Sequence, residues 1–132
     1  MKVESLFYDY VDMNDVNIVK DWLDQLDPKT KAKVNARLGA LEQLDRTEWK
    51  MPLTEVLKGD KDGLVAVRVK SNKIEYRLLG YYGPDRGEFT LLTYCEERNN
   101  KYIPLDIGRK AFERIRDIEA NPIARRVRHD FR

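Results

Sequence analysis

The chain has 132 residues, is 42% hydrophobic and 36% charged, and carries a formal net charge of +2. Those values fit one domain with a modest core, taken here as residues 1–132, and exclude a membrane span, since no run approaches the roughly 18 apolar residues that one needs. The opening MKVESLFYDYVD lacks the long apolar region of a secretory leader, and the one cysteine, Cys95, excludes an internal disulfide, so a reducing cytoplasmic setting is expected.

Val3–Tyr10 is rich in strand-forming residues and predicts a first β-strand. Asn14 and Asp15 offer capping oxygens to a following helix in which Val16, Val19, Trp22, Leu23 and Leu26 share one face. Asp27-Pro28 restarts the chain as a second helix, Pro28–Leu44, burying Val34, Leu38, Leu41 and Leu44. Residues 45–62 form a connection punctuated by Pro52 and Gly59, with Trp49, Met51, Leu53, Val56 and Leu57 packing it onto the core. Three strands are expected next: Leu64–Lys70, Lys73–Tyr82 and Glu88–Glu96, the first two joined by a Ser71-Asn72 turn. A closing helix carries Ala111, Phe112, Ile115 and Ile118 on one face and ends near Asn121-Pro122. Residues 122–132 read as a basic tail. The order β-α-α-β-β-β-α predicts an α+β sandwich, a mostly antiparallel sheet with helices on one face.

Charge is unevenly spread. From Arg98 to Arg132 there are ten Lys/Arg against five Asp/Glu, while the first 97 residues are net acidic. Such a basic third suits a polyanion, or equally a solvated helix and tail. Arg125, Arg126 and Arg128 are either a phosphate-binding arm or a charged terminus, and His129 reads as a surface tail residue. Cys95 reads as a small buried apolar group, and Trp22 and Trp49 as core. No GxGxxG, Walker loop, CxxC or HExxH pattern occurs, so neither cofactor nor metal is expected.

Two arginines stand inside otherwise apolar strands. Alternation assigns Val65, Val67 and Val69 to one sheet face with Ile74, Tyr76 and Leu78. Arg68 then faces Glu75, and Ala66 faces Arg77, on the face turned away from the helices. By spacing alone this is an ordinary cross-strand ion pair beside a solvated arginine.

The phrase Glu75-Tyr76-Arg77-Leu78-Leu79-Gly80-Tyr81-Tyr82 resembles the Tyr-Arg-Leu-hydrophobic-Tyr strand of RelE/ParE-type toxins. Val67-Arg68, following Gly63-Leu64, resembles the preceding hydrophobic-Arg strand, especially in the phage-derived HigB-like branch. Leu91-Leu92-Thr93-Tyr94, the run Arg98-Asn99-Asn100-Lys101-Tyr102, Pro104 and the closing helix follow in that family's order, so the resemblance spans residues 3–120. The chain departs from it in carrying Glu96-Glu97-Arg98 where HigB-like relatives often have a lysine pair.

The resemblance implies the toxin of a type II toxin–antitoxin system. Such a toxin is an endoribonuclease that cuts mRNA on the ribosome through metal-independent attack by a ribose 2′-OH, silenced by a small antitoxin protein. It implies Arg77 and Arg68 at phosphates, because a guanidinium fork matches phosphoryl oxygens. Tyr94 and Tyr102 would stack on a base or exchange a proton, and Glu96 or Glu97 would act as general base. Arg98 and Lys101 would hold RNA or the leaving oxygen. Arg109, Lys110, Arg125, Arg126 and Arg128 complete the expected RNA-binding set. Two alternatives stay open: a ParE-like inhibitor of DNA gyrase that cuts no RNA, and a catalytically inactive phage-derived binding or regulatory protein.

Overall fold

Two side-chain caps set the helical pair in the computed structural model, which describes residues 3–132. Asn17 accepts the Lys20 amide at 2.9 Å and starts α1, Ile18–Gln25. Asn14 and Asp15 lie instead in a turn closed by Asp12, whose carboxylate accepts the Asn14 and Val16 amides, so Val16 stays outside the helix. Asp27 caps α2, Pro28–Gln43, by accepting the Thr30 amide at 2.9 Å, and Pro28 sits in the first turn, where an amide would have no helical partner. Among the described residues no helix is long and apolar enough to cross a membrane.

One mixed sheet follows the order β2-β3-β4-β5-β1-β7, with β6 added beside β5. Its strands are β1 (Leu6–Tyr10), β2 (Thr54–Val56), β3 (Val65–Ser71), β4 (Ile74–Tyr82), β5 (Glu88–Arg98), β6 (Lys101–Ile103) and β7 (Arg126–Arg128). The β1–β5 pairing is parallel and the others are antiparallel. With α3 (Ile107–Ala120) this is the expected α+β fold, enlarged by three short strands drawn from the connection, the β5 end and the tail.

The β3–β4 hairpin turns one residue later than the sequence suggests. Asn72 and Lys73 both take positive φ, 54° and 65°, as a two-residue hairpin turn requires. Ser71 stays in the strand because its buried hydroxyl lies 2.8 Å from that of Thr30 on α2. The partners therefore slide by two positions: Arg68 faces Arg77, and Glu75 faces Lys70. The expected Arg68–Glu75 and Ala66–Arg77 pairs do not form. An even slide leaves every side chain on its expected face.

Layering differs in one respect. Val65, Val67, Val69, Tyr76 and Leu78 pack with Val19, Leu23, Val34, Leu38 and Leu41, so α1 and α2 cover one face. The other face carries its own apolar set, Leu64, Ala66, Leu79, Tyr81 and Leu92, and α3 covers it with Ile107, Ala111 and Ile118. Leaving so much apolar surface wet would cost about 1.5–3 kcal/mol for each large side chain, and this is what draws the third helix to the arginine side. A bulge between Leu79 and Gly80 loosens the β4–β5 register there, and Arg114 of α3 donates to the Leu92 carbonyl at 2.9 Å.

The basic tail is built into the sheet. β7 pairs antiparallel with β1, and Arg128 grips both oxygens of Glu42 at 2.8 and 2.9 Å while donating to the Phe7 carbonyl. Arg126 pairs with Glu88 at 2.7 Å and lies over the Tyr8 ring. Arg125 donates to the Asp12 carbonyl. His129, read from sequence as a surface residue, is buried between Asp9 and Asn35, 2.9 Å from each. Strand pairing with β1 carries it there, and Asp9, wholly buried, needs a polar partner.

Candidate functional site

The β5–β6 hairpin meets β2 and the 59–61 turn around an open cleft of about 480 Å³. Glu97 and Tyr102 face each other as β5–β6 partners and line it. Lys58, Lys61 and Lys101 supply positive charge at its walls, with Glu55 opposing them. The Lys61 ammonium stands 5.6 Å from the centre of the Tyr102 ring. Burial, the largest influence, pushes the Tyr102 hydroxyl up to about 12, helped by the charge of Glu55. Its phenol is therefore a proton donor throughout the neutral range.

Behind Glu97 lies Arg77. Its side chain is 2% exposed, against 25% for Glu97. Nη2 and Nε stand 2.8 and 3.0 Å from Glu97 Oε1, Nη1 donates to the Tyr76 carbonyl at 2.9 Å, and Glu75 Oε2 is 3.4 Å from Nη1. Glu75 and Glu97 are direct cross-strand neighbours. Two like charges so placed repel, and one guanidinium between them removes the conflict. The arrangement holds a carboxylate at the cleft with its rotamer set from behind.

The strands place Arg68 directly opposite Arg77, yet the two guanidiniums take different partners. Arg68 turns toward the β2 side, donating to the Met51 sulfur at 3.1 Å and the Pro52 carbonyl at 3.3 Å, while Arg37 donates to its carbonyl. The two guanidiniums, which the resemblance puts together at phosphates, do not converge on one open surface. The buried α3 side of the sheet and the carboxylate of Glu97 absorb Arg77.

Tyr94 is on the opposite face from Arg77, stacked on Trp22 at 4.4 Å with the rings 6° from parallel. Arg98 is exposed at the end of β5 and paired with Glu96 at 2.8 Å. Arg109 is held on α3 between Asp106 and Glu113 at 2.7 and 2.5 Å. Lys110 makes no ion pair among the described residues and lines a small cavity with Tyr94 and Arg114. Lys101 and Tyr102 thus share the cleft with Glu97, whereas Tyr94, Arg109 and the tail arginines lie elsewhere. Sequence reasoning missed Lys58 and Lys61, which sit in the 45–62 connection; their i, i+3 spacing in a polar, glycine-punctuated stretch was the available signal. Cys95 is buried, and burial pushes its thiol up to about 12, which makes it a packing residue. Trp49 is core, while Trp22 is only partly buried.

A family model described as "Phage derived protein Gp49-like (DUF891)" matches residues 21–116, from the middle of α1 into α3, and so takes in the whole cleft. No curated protein and no solved structure matches the chain.

Proposed function

The chain belongs to the Gp49-like phage-derived family, a RelE/toxin-like family, and on that premise we propose that it is the toxin of a two-gene toxin–antitoxin module, an endoribonuclease acting on mRNA at the ribosome in the cytoplasm. The observation that carries this reading is the cleft in which Glu97, anchored by buried Arg77, faces Tyr102 beneath three lysines. That set supplies what RNA transesterification needs. Glu97 takes the proton of a ribose 2′-OH, and the freed oxygen attacks the adjacent phosphorus. The bond from phosphorus to the 5′-oxygen breaks, and Tyr102 protonates that oxygen, a stronger base than its own phenolate. The products are a 2′,3′-cyclic phosphate and a 5′-hydroxyl. Lys58, Lys61 and Lys101 neutralise charge gathering on the phosphoryl oxygens. Arg77 acts as a positioning residue for Glu97, and Arg68 holds the flanking backbone. The antitoxin silences the enzyme by covering the cleft.

The test is incubation with translating ribosomes, followed by mapping of the RNA ends. Cleaved mRNA with 2′,3′-cyclic phosphate ends is expected, with loss of about 10²–10⁴ in rate for Glu97→Gln. Intact mRNA under those conditions overturns the reading.

One observation favours a second reading. Both nearby carboxylates already neutralise Arg77, which suits a fold that binds a protein target and leaves RNA untouched, as in a gyrase inhibitor or an inactive phage-derived regulator. Growth arrest with DNA damage and intact mRNA is the signature of the gyrase inhibitor, and absence of both arrest and cleavage that of the inactive regulator.

A further inference from the structure

Beside the β5 edge, two further cavities of about 230 and 190 Å³ share Tyr94 and Pro104 as common walls. The first is lined by Trp22, Tyr76 and Glu96, and the second by Lys110 and Arg114. They adjoin at Tyr94 and Pro104, so one ligand passing over these residues touches both. One end is aromatic with a carboxylate; the other is cationic. We infer that this groove is a nucleotide subsite, its aromatic end taking a guanine base and its cationic end the attached phosphate.

The chemistry follows from the groups. Trp22 lies parallel to Tyr94 and edge-on to Tyr76, at 4.4 and 5.8 Å, which gives a rigid aromatic wall against which a base can pack. Glu96 is on the same sheet face as Tyr76 and Tyr94, because it pairs with Tyr76 across β4 and β5. An ionised carboxylate only accepts hydrogen bonds, and guanine alone among the four bases presents two adjacent donors, N1–H and the 2-amino group, on one edge. The present partner of Glu96 is Arg98, a pair at an exposed position where such contacts are weak, so the carboxylate can be re-engaged while Arg98 turns to the guanine acceptors. At the far end Lys110 has no ion pair among the described residues. Arg114 is anchored through the Leu92 carbonyl and still borders the cavity. This subsite rests on the nucleic-acid reading above, and adds a second nucleotide beside the scissile one.

The experiment is a tryptophan-fluorescence titration of the full chain with the four nucleoside 5′-monophosphates at low salt. Trp49 is core and hydrogen-bonded to the Leu41 carbonyl, so Trp22 carries the response. GMP is expected to quench saturably and more tightly than AMP, CMP or UMP. Glu96→Gln is expected to weaken GMP about tenfold while leaving AMP unchanged, and Lys110→Ala to weaken GMP but not guanosine. Trp22→Phe, which keeps the stack, is expected to abolish the signal with an unchanged circular dichroism spectrum. Absence of saturable quenching, equal response to all four nucleotides, or a signal surviving Trp22→Phe would overturn the proposal. RNA cleavage without GMP binding removes this subsite and leaves the nuclease standing; GMP binding without cleavage does the reverse.

Discussion

Arg77 and Glu97 meet 2.8 Å apart across β4 and β5, the guanidinium sealed under the sheet surface and the carboxylate at the cleft wall. The pair joins stability to the proposed chemistry: its buried half is a charge that must be compensated, and its other half is the partly exposed carboxylate to which the proposal gives the role of base.

Substitution at Glu97 separates the two roles. Glu97→Ala leaves Arg77 buried with the Tyr76 carbonyl and, as its one remaining counter-charge, the longer contact to Glu75, and a loss at the lower end of about 3–5 kcal/mol is expected in urea unfolding. Glu97→Gln keeps an oxygen acceptor and is expected to cost about 1–2 kcal/mol while abolishing base catalysis. Equal stability of the alanine variant and wild type would show that the pair contributes nothing to the fold.

Tyr102, raised to about 12 mainly by burial, keeps its proton well past pH 10. The cleavage rate is therefore expected to show no alkaline fall from this group below about pH 11, and Tyr102→Phe to lower the rate at all pH values by a constant factor. A rate that declines between pH 8 and 10 in wild type but not in Tyr102→Phe would remove the acid role (the pH range is set by the ordinary tyrosine value of about 10).

Gly80 sits at the bulge, where an added Cβ would lie 2.4 Å from both the Phe89 ring and the Thr90 carbonyl. Backbone cannot yield there as a flexible side chain would. Gly80→Ala is expected to destabilise by about 1–3 kcal/mol or more, read as a lowered melting temperature.

The tail behaves as part of the core. His129→Leu strips Asp9, wholly buried, of a partner and leaves it Asn17 alone, so a loss of about 3–5 kcal/mol is expected in urea unfolding. Fast hydrogen exchange of the His129 amide, which bonds the Phe7 carbonyl at 2.9 Å, would contradict a docked strand.

Acid stability has a defined window. Hydrogen bonds from the Thr47 hydroxyl and then the Val3 amide lower Asp45 from 3.8 to about 2, and the Thr30 amide lowers Asp27. A carboxyl depressed in the folded chain stabilises above its unfolded value and loses that stabilisation as pH falls through the folded one. Melting temperature is expected to decline from pH 3.8 toward 2, with a shallower slope in Asp45→Asn. An identical slope in that variant would show that Asp45 is not a source of it.

Local patterns were readable from the chain itself. Asp27-Pro28 announced a capped helix, alternation sorted Val65, Val67 and Val69 from Arg68 and Arg77, and the Tyr76-Arg77-Leu78 phrase pointed to the toxin-like family. These depend on backbone geometry repeating every two or 3.6 residues, which neighbours in sequence determine. What needed the tertiary structure was every decision made between distant segments. Ser71 stayed in its strand because Thr30 holds it; α3 chose the arginine face because a second apolar set waited there; Arg77 closed on Glu97 instead of opening to a phosphate. His129 left the surface for an aspartate 120 positions away. Compensation of a buried charge depends on what comes near in space, and no spacing along the chain encodes that.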